Sequence, residues 1–185
     1  MESLRKGILT FFWSDNTINM LNPETGGNER IFMEEEKYDS LKLENQLCFP
    51  LYACSKEIIR RYKPFLDEVD LTYTQYITMM VLWDRKEMNV KELGSFLYLD
   101  SGTLTPVLKK LEQKGFVERS RSKEDERNLI IRITEAGEAL REKALKIPEA
   151  MGQCIKLSTA EAMQLYRILY KILQNVGDTE AVEEE

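Results

Sequence analysis

No histidine occurs anywhere among the 185 residues of this chain. Its absence removes the usual zinc ligand, the usual general base and every Ser-His-Asp or Cys-His catalytic arrangement. The sequence also lacks a glycine-rich phosphate loop, and no apolar run approaches the roughly 20 residues of a membrane span. These gaps argue against an enzyme, against a bound cofactor and against a membrane partner.

Cysteine is scarce as well, since Cys48, Cys54 and Cys154 form an odd set at irregular spacing. Such a set argues against a disulfide scaffold and predicts a reducing, cytoplasmic setting. The N-terminus has a short apolar patch but no small-residue cleavage site, so no signal peptide is predicted. With 43% hydrophobic residues, the chain is expected to form one domain with a proper core.

The net charge of −6 is unevenly distributed along the chain. Residues 1–40 carry −4 and residues 177–185 carry −5, which leaves +3 on residues 41–176. Within that part, residues 101–132 hold eight Lys and Arg against five Asp and Glu. A mildly basic middle between acidic ends fits a protein that binds DNA.

The two ends are interpreted separately from the domain. Residues 1–32 show no clear period and form an N-terminal extension, whereas a helical pattern begins near Met33. Met33 is a candidate true start, because Glu29-Arg30 can be encoded by a purine-rich tract resembling a ribosome-binding site. The alternative is a genuine extension that packs on the domain or stays disordered. The domain is predicted to span residues 33–176. Residues 177–185 are predicted to form a solvated acidic tail.

The stretch from Asp100 to Thr134 organises the rest of the chain. Asp100 or Ser101 can cap a helix, and Gly115 can end it. Between them one apolar stripe follows helical spacing, formed by Leu104, Val107, Leu108 and Leu111. Two β-like runs come next, residues 116–121 and 129–134. A helix followed by a hairpin predicts a winged helix-turn-helix, so the fold is expected to be mainly α with a small β wing.

The polar face of that helix and the basic residues of the hairpin are predicted to contact DNA. The helix would lie in the major groove, while Arg127 at the wing tip would reach the backbone or the minor groove, supported by Asp125. The predicted contacts are Ser101, Thr103, Thr105, Pro106, Lys109, Lys110, Gln113, Arg119, Arg121, Lys123 and Arg127. The alternative interpretation is a helix and hairpin whose charges are only solvated.

Long helices are predicted on both sides of this reading head, which covers about residues 72–134. Residues 40–66 indicate a helix kinked at Pro50, and residues 135–154 a helix bent by Pro148. Shorter helices are expected at 73–83 and 89–97, and a capping box at 158–161 starts the last helix.

The dimerisation helices, residues 40–66 and 135–176, carry more apolar surface than one chain of this size can bury. Their spare faces predict a two-fold homodimer, which places two recognition helices one DNA turn apart on a pseudo-palindromic, double-stranded operator.

Several motifs resemble a known family. The segments DSGTLTPVLKKLEQKG from Asp100, DER from Asp125 and ITEAG from Ile133 resemble the MarR family of dimeric bacterial repressors. The segments LENQLCF from Leu43, YKP from Tyr62 and TYTQY from Thr72 resemble its OhrR branch, whose members sense organic hydroperoxides. This resemblance covers residues 33–176 and implies a MarR-type helical dimer that represses transcription.

The resemblance also implies a redox site. Cys48 would be the sensor, and Tyr62 and Tyr73 would donate hydrogen bonds to its sulfur across the dimer interface. A thiol reacts with peroxide as the thiolate, so a sensor needs a lowered pKa or nearby donors. Tyr52, at i+4 from Cys48, is a further candidate for lining the site. The alternative for Cys48 is an ordinary buried small hydrophobe.

The other two cysteines receive different interpretations. Cys54 lies about 240° round the helix from Cys48, on the apolar stripe, and is expected in the core. The resemblance leaves two fates for the sulfenic acid of Cys48: a disulfide with Cys154 of the partner as resolving residue, or capping by a low-molecular-weight thiol.

Two other functions remain open on the same residues. One is a MarR-like regulator that binds a small aromatic ligand between its helices, with Cys48 incidental. The other is a thiol peroxidase, against which the lack of any catalytic His or Arg-bearing peroxidase motif near Cys48 speaks.

Overall fold

The structure is a computed structural model that describes residues 38–121 and 128–180, with side chains as far as residue 176. Expectations for the extension 1–32, for Met33 as a start, and for Lys123, Asp125 and Arg127 lie outside the described residues. The chain consists of two units, residues 1–57 and residues 58–185.

Helices dominate the described residues, and three short strands complete the fold. The helices are α1 (Cys48–Asp67), α2 (Tyr73–Arg85), α3 (Val90–Leu97), α4 (Ser101–Gln113), α5 (Glu135–Ala144), α6 (Lys146–Ile155) and α7 (Thr159–Glu180). The strands are β1 (Glu87–Asn89), β2 (Val117–Arg121) and β3 (Leu129–Ile133). The predicted class, mainly α with a small β wing, is confirmed. Helix α7 continues four residues into the segment predicted as a tail.

Polar caps fix where several helices begin, because a side-chain oxygen accepts a free N–H of the first turn. Thr72 and Gln75 form a reciprocal capping box at α2, and Asp100 accepts a hydrogen bond from Thr103 N at α4. The capping box predicted at residues 158–161 is present, with Ser158 N donating to Glu161 Oε2 over 2.9 Å. At the other end of α4, Gly115 takes a φ of +74°, as its predicted role as a helix stop requires.

The sheet has the strand order β1-β3-β2, and both pairings are antiparallel. The hairpin strands were predicted, whereas β1 was not. Glu87 lies opposite Arg132 in the register, and Arg132 Nε donates to Glu87 Oε2 over 2.8 Å. This cross-strand ion pair joins the start of the helix-turn-helix to the wing.

The core of residues 58–185 lies where the reading head meets α5 and α6. Three leucines of α4 are within 1% of complete burial, Leu104, Leu108 and Leu111. Other buried members come from each side of them, among them Met79, Leu82, Leu93, Ile131 and Ile147. The buried indole of Trp83 donates its Nε1–H to the carbonyl of Gly137 over 2.8 Å, which ties α2 to α5.

Two predictions about proline were wrong. Helix α1 begins at Cys48 rather than at residue 40, and two 3₁₀ turns, Asp39–Leu41 and Leu43–Asn45, precede it. Pro50 therefore sits in the first turn, where its missing N–H costs nothing, and no kink is needed there. An earlier start would drive the Pro50 ring against the carbonyl of Gln46.

The predicted bent helix over residues 135–154 is two helices. Helix α5 ends at Ala144 and α6 begins at Lys146, so the break falls at Leu145. Pro148 cannot donate to the carbonyl of Ala144, and its ring opposes that carbonyl, so the chain starts a new helix instead of bending one.

Candidate nucleic-acid interface and redox site

The face of α4 opposite its buried leucines is exposed. The predicted contacts on this face are all exposed, namely Ser101, Thr103, Thr105, Pro106, Lys109, Lys110 and Gln113. Within the described residues no carboxylate pairs with the ammonium groups of Lys109 and Lys110. Two free cations on a solvent-facing helix provide the charge that phosphate groups attract.

The N-terminus of α4 is held by Asp100. Its Oδ1 accepts a hydrogen bond from Thr103 N over 2.8 Å, and its Oδ2 accepts one from the Thr103 hydroxyl over 2.8 Å. These bonds from Thr103 hold the pKa of the Asp100 carboxyl below its usual range. The Thr103 hydroxyl is therefore engaged in the cap.

Arg119 of β2 lies against α4 rather than standing free. Its Nε donates to Glu112 Oε2 over 2.7 Å, and its guanidinium forms an ion pair with the same carboxylate. The hydrogen bond from Arg119 is the main cause that lowers the pKa of Glu112. This pair fastens the wing strand to the recognition helix. Arg121 is exposed at the end of β2.

Three tyrosines of residues 58–185 form one aromatic cluster. The ring centroids of Tyr62 and Tyr73 are 5.0 Å apart in an edge contact, and those of Tyr62 and Tyr76 are 6.0 Å apart. Burial raises the pKa of all three phenols, with a further rise for Tyr62 and Tyr76 from the neighbouring phenols. Their hydroxyls therefore stay protonated at neutral pH and can donate hydrogen bonds. The structure brings together Tyr62 and Tyr73, two of the three tyrosines predicted to support the sensor.

Cys48 is the first residue of α1 and is exposed. At that position its side chain lies beside the free N–H groups and the positive end of the helix dipole. Tyr52 is 62% exposed, and the Lys56 ammonium lies 5.9 Å from its ring centroid. Within residues 38–57, the described side chains leave Cys48 open to a small reactant.

Cys54, predicted to be in the core, is exposed, so that prediction was wrong. An apolar stripe shows which face of a helix has to be covered, but not what covers it. Cys154 is also exposed and lies one residue before the end of α6. Its predicted role as a resolving cysteine stays a prediction.

Sequence reasoning missed a set of polar contacts at the start of α2. Gln75 is 2% exposed, and its Oε1 accepts hydrogen bonds from Thr72 N over 3.1 Å and from Lys114 Nζ over 3.4 Å. Lys114, the C-cap residue of α4, also pairs with the Asp70 carboxylate at 3.1 Å. The spacing of Thr72 and Gln75 is a local signal for their capping box. No local signal predicts the contact of Gln75 with Lys114, because these two residues are 39 positions apart in the sequence.

The described residues contain neither a group of metal ligands nor a helix that could span a membrane. Across residues 38–121 and 128–176 no group of three or more His, Cys, Asp or Glu side chains could hold a metal ion. In the same part of the chain, no helix has the length and hydropathy needed to cross a bilayer.

Known proteins are similar to this chain in sequence and in fold. The model of the family described as transcriptional regulator SarA/Rot matches residues 60–144. An organic hydroperoxide resistance transcriptional regulator of Bacillus subtilis (strain 168) is 49% identical over 142 residues, which cover 77% of this chain and 97% of that protein. This chain belongs to the MarR family of transcriptional regulators, in its OhrR-like branch.

Solved structures of similar proteins have the same fold as this chain. Reduced AbfR bound to DNA is 33% identical, with a TM-score of 0.65, and the match covers 77% of this MarR-family chain and 98% of AbfR. AbfR, from Staphylococcus epidermidis, has also been solved with a disulfide formed, at 34% identity and a TM-score of 0.54 over 77% and 98% of the two chains. As an OhrR-like MarR-family member, this chain is a DNA-binding transcription regulator and not an enzyme.

Proposed function

We propose that this regulator is a homodimeric, redox-sensing repressor that releases its operator when an organic hydroperoxide oxidises Cys48. The observation that carries the proposal is the Tyr62–Tyr73 pair, in which two protonated phenol donors meet in one place. The relative named for organic hydroperoxide resistance and the solved complex of reduced AbfR with DNA support the same function.

DNA binding in the reduced state is assigned to α4 and the wing. The exposed face of α4, with Lys109 and Lys110, enters the major groove of a pseudo-palindromic operator. Arg121, Lys123 and Arg127 of the wing reach the backbone and the adjacent minor groove. The Arg119–Glu112 pair links strand β2 of the wing to α4.

The proposed homodimer rests on the surface of α7. None of the described side chains of this helix, up to Val176, is buried. Its exposed apolar residues include Met163, Leu165, Tyr166, Ile168, Tyr170 and Leu173. So many large apolar side chains exposed on one helix are more than the single scattered hydrophobic residues of an ordinary surface, and they indicate a protein–protein interface. A two-fold dimer would cover it and set the spacing of the two α4 helices at about 34–36 Å.

The sensing reaction takes place at the sulfur of Cys48. The thiolate attacks the terminal oxygen of the hydroperoxide and the O–O bond breaks. The departing alkoxide takes a proton from water and leaves as the alcohol. The sulfur is oxidised to a sulfenic acid and the peroxide is reduced. Tyr62 and Tyr73 of the partner protomer donate hydrogen bonds to the reacting sulfur, as the OhrR-like motifs imply, and Tyr52 lines the approach.

Oxidation releases DNA because it changes the packing around the Cys48 sulfur at the dimer interface. A sulfenic acid, or a disulfide formed from it, changes the size and polarity of the sulfur group at the tyrosine donors. Packed interfaces answer such a change by switching between discrete arrangements rather than by deforming smoothly. A changed distance between the two α4 helices no longer matches successive major grooves, and affinity falls.

The direct test is operator binding by fluorescence anisotropy, with DNA from upstream of the chain's own gene. Reduced wild-type protein should bind, and cumene hydroperoxide should release it. Cys48→Ser, which keeps a similar volume but cannot form a sulfenic acid, should bind and remain bound. Cys54→Ser is the matched control, since it removes another exposed thiol of α1 and should respond like wild type.

Two outcomes would overturn the proposal. Release of Cys48→Ser at the wild-type peroxide dose would remove Cys48 from the mechanism. Release of Cys48→Ser by a small aromatic acid, with no peroxide response in wild type, would instead establish a ligand-responsive MarR-type repressor.

A further inference from the structure

Among the lysines whose side chains the structure describes, only Lys114 is not exposed. Its side chain is 26% exposed, so most of its stem is covered, and its ammonium group needs polar partners there. Lys114 is the C-cap residue of α4, and its partners lie at the turn between α1 and α2. One side chain therefore connects the end of the recognition helix to the start of α2, where Tyr73 is the first helical residue.

The ammonium group of Lys114 has three oxygen partners. It donates to the main-chain carbonyl of Asp70, and it lies 3.1 Å from the Asp70 carboxylate and 3.4 Å from Gln75 Oε1. An ammonium group carries three N–H donors, so these oxygens match its capacity. Asp70 has a φ of +51°, a left-handed conformation that is uncommon outside glycine. Two of the three contacts therefore stabilise the left-handed residue that leads into α2.

The third contact of Lys114 reaches the capping box of α2. Gln75 is 2% exposed, and the oxygen that faces Lys114 also accepts a hydrogen bond from Thr72 N over 3.1 Å. Gln75 N in turn donates to the Thr72 hydroxyl over 3.4 Å. Tyr73 follows Thr72 directly in the chain. The backbone before and after Tyr73 is thus held by bonds that continue to Lys114, 39 residues after Gln75 in the sequence.

We infer that Lys114 is a positioning residue for the Tyr73 hydroxyl and, through it, for the oxidation of Cys48. Lys114 acts by holding Asp70 and Gln75, which fix where α2 begins. Hydrogen-bond strength depends steeply on distance and angle, so a start of α2 that is free to shift weakens the donation from Tyr73. The inference rests on the proposed function, in which Tyr73 donates to the sulfur of Cys48 of the partner protomer.

The test measures the rate constant for oxidation by cumene hydroperoxide, from thiol loss in stopped flow. All proteins also carry Cys54→Ser and Cys154→Ser, so that Cys48 is the only thiol. Lys114→Met keeps the apolar stem, removes the ammonium group and should slow oxidation several-fold. Its loss should not exceed the roughly tenfold loss expected for Tyr73→Phe, because Lys114 acts only through that hydroxyl. The double variant should oxidise at the same rate as Tyr73→Phe alone.

The rate of the double variant separates positioning from general loosening of the fold. If Lys114→Met acted independently of the phenol, its effect would multiply with that of Tyr73→Phe, because independent changes add in free energy. Lys143→Met is the matched control, since it removes an exposed lysine charge from α5 and should oxidise like wild type. Asp70→Asn is a second variant that removes one carboxylate and tolerates the left-handed conformation. It should slow oxidation less than Lys114→Met and should add nothing to Tyr73→Phe.

Failure of this inference is distinguishable from failure of the proposed function. Wild-type rates in Lys114→Met and Asp70→Asn, with a slow Tyr73→Phe, would overturn the role of Lys114 and leave the proposed function intact. A multiplied loss in the double variant would also overturn that role. A wild-type rate in Tyr73→Phe would contradict the proposed site itself, and this inference with it. If circular dichroism shows that Lys114→Met does not fold, the same comparisons with Asp70→Asn decide.

Discussion

The phenol rings of Tyr62 and Tyr73 meet edge to face, with their centroids 5.0 Å apart. Tyr62 lies on α1 and Tyr73 opens α2, and the turn between these helices brings them together. Neither hydroxyl hydrogen bonds to another described residue of the chain. Two donors with no partner among the described residues can donate to a group from another protomer, which in the proposed dimer is the sulfur of Cys48.

Removing either hydroxyl should therefore slow oxidation without unfolding the protein. Tyr62→Phe and Tyr73→Phe each keep the ring contact and delete one donor. Each should lower the rate constant for oxidation by cumene hydroperoxide roughly tenfold, the order of one hydrogen bond to a charged group. Stopped-flow measurement of thiol loss gives the rate, and Tyr98→Phe controls for loss of a phenol outside the cluster. Rates equal to wild type would mean that the two tyrosines only pack.

The same cluster predicts how stability changes at alkaline pH. Burial raises the pKa of Tyr62, Tyr73 and Tyr76 in the folded state above the unfolded value of about 10. Above that pH the unfolded chain loses phenolic protons first, which favours unfolding. The contribution of these three phenols to the free energy of unfolding should be complete at neutral pH and should fall as the pH rises through 10. Urea titrations at pH 8 and pH 10.5 should show a smaller fall in Tyr76→Phe than in wild type. An identical fall would contradict the assignment.

The wing prediction remains one from sequence, since Arg127 lies outside the described residues. Arg127→Ala should weaken operator binding and lower the salt slope by about 0.9 if one phosphate contact is lost. Anisotropy titrations across a salt series measure both quantities, with Lys143→Ala as the control for loss of a distant cation. A slope and an affinity equal to wild type would show that the wing tip does not touch DNA.

Replacement by alanine of two glycines in neighbouring helices should have opposite effects on the free energy of unfolding. A Cβ at Gly137 would lie 2.2 Å from the carbonyl oxygen of Phe116 and 2.9 Å from Ile133, so the backbone of α5 would have to move. Gly137→Ala should cost about 1–3 kcal/mol, the range for overpacked sites. At Gly152, inside α6, nothing lies within 4 Å of an added Cβ. Gly152→Ala should raise the free energy of unfolding by about 0.5–1 kcal/mol. Urea midpoints test both, and a Gly137→Ala midpoint at or above wild type would contradict the close approach.

Local chemistry explains what the sequence could predict. A cap such as Thr72 or Asp100 and a stop such as Gly115 act within one helical turn, so their residues alone place the helix ends. The apolar stripe of α4 predicted its buried face for the same reason. The three-residue strand β1 has no such signal, because its conformation comes from pairing with β3, about forty residues later in the chain.

The proline errors have a related cause. Pro50 and Pro148 each predicted an interruption correctly, but a local rule does not decide between a kink, a late start and a break. At Leu145 the choice depends on how Ala144 and Ile147 are both buried in the core. Likewise, the contact of Lys114 with Gln75 exists only once α4 lies against the start of α2. Tertiary packing determines these features, and the periodicity of the sequence does not show how the helices and strands pack together.

The fate of oxidised Cys48 is the last prediction. Cys48 is exposed within its own chain at the first residue of α1, and a millimolar small thiol needs no movement of a second helix to meet its sulfenic acid. A disulfide to Cys154 of the partner would instead require the two Cα atoms to come within about 7 Å. We therefore expect protein oxidised in the presence of cysteine or a similar thiol to gain the mass of that thiol on Cys48. Mass spectrometry measures the adduct, and Cys154→Ser should leave its yield unchanged. A covalent dimer on a non-reducing gel that disappears in Cys154→Ser, with a Cys48–Cys154 peptide in the digest, would establish the disulfide route, the form in which AbfR has also been solved.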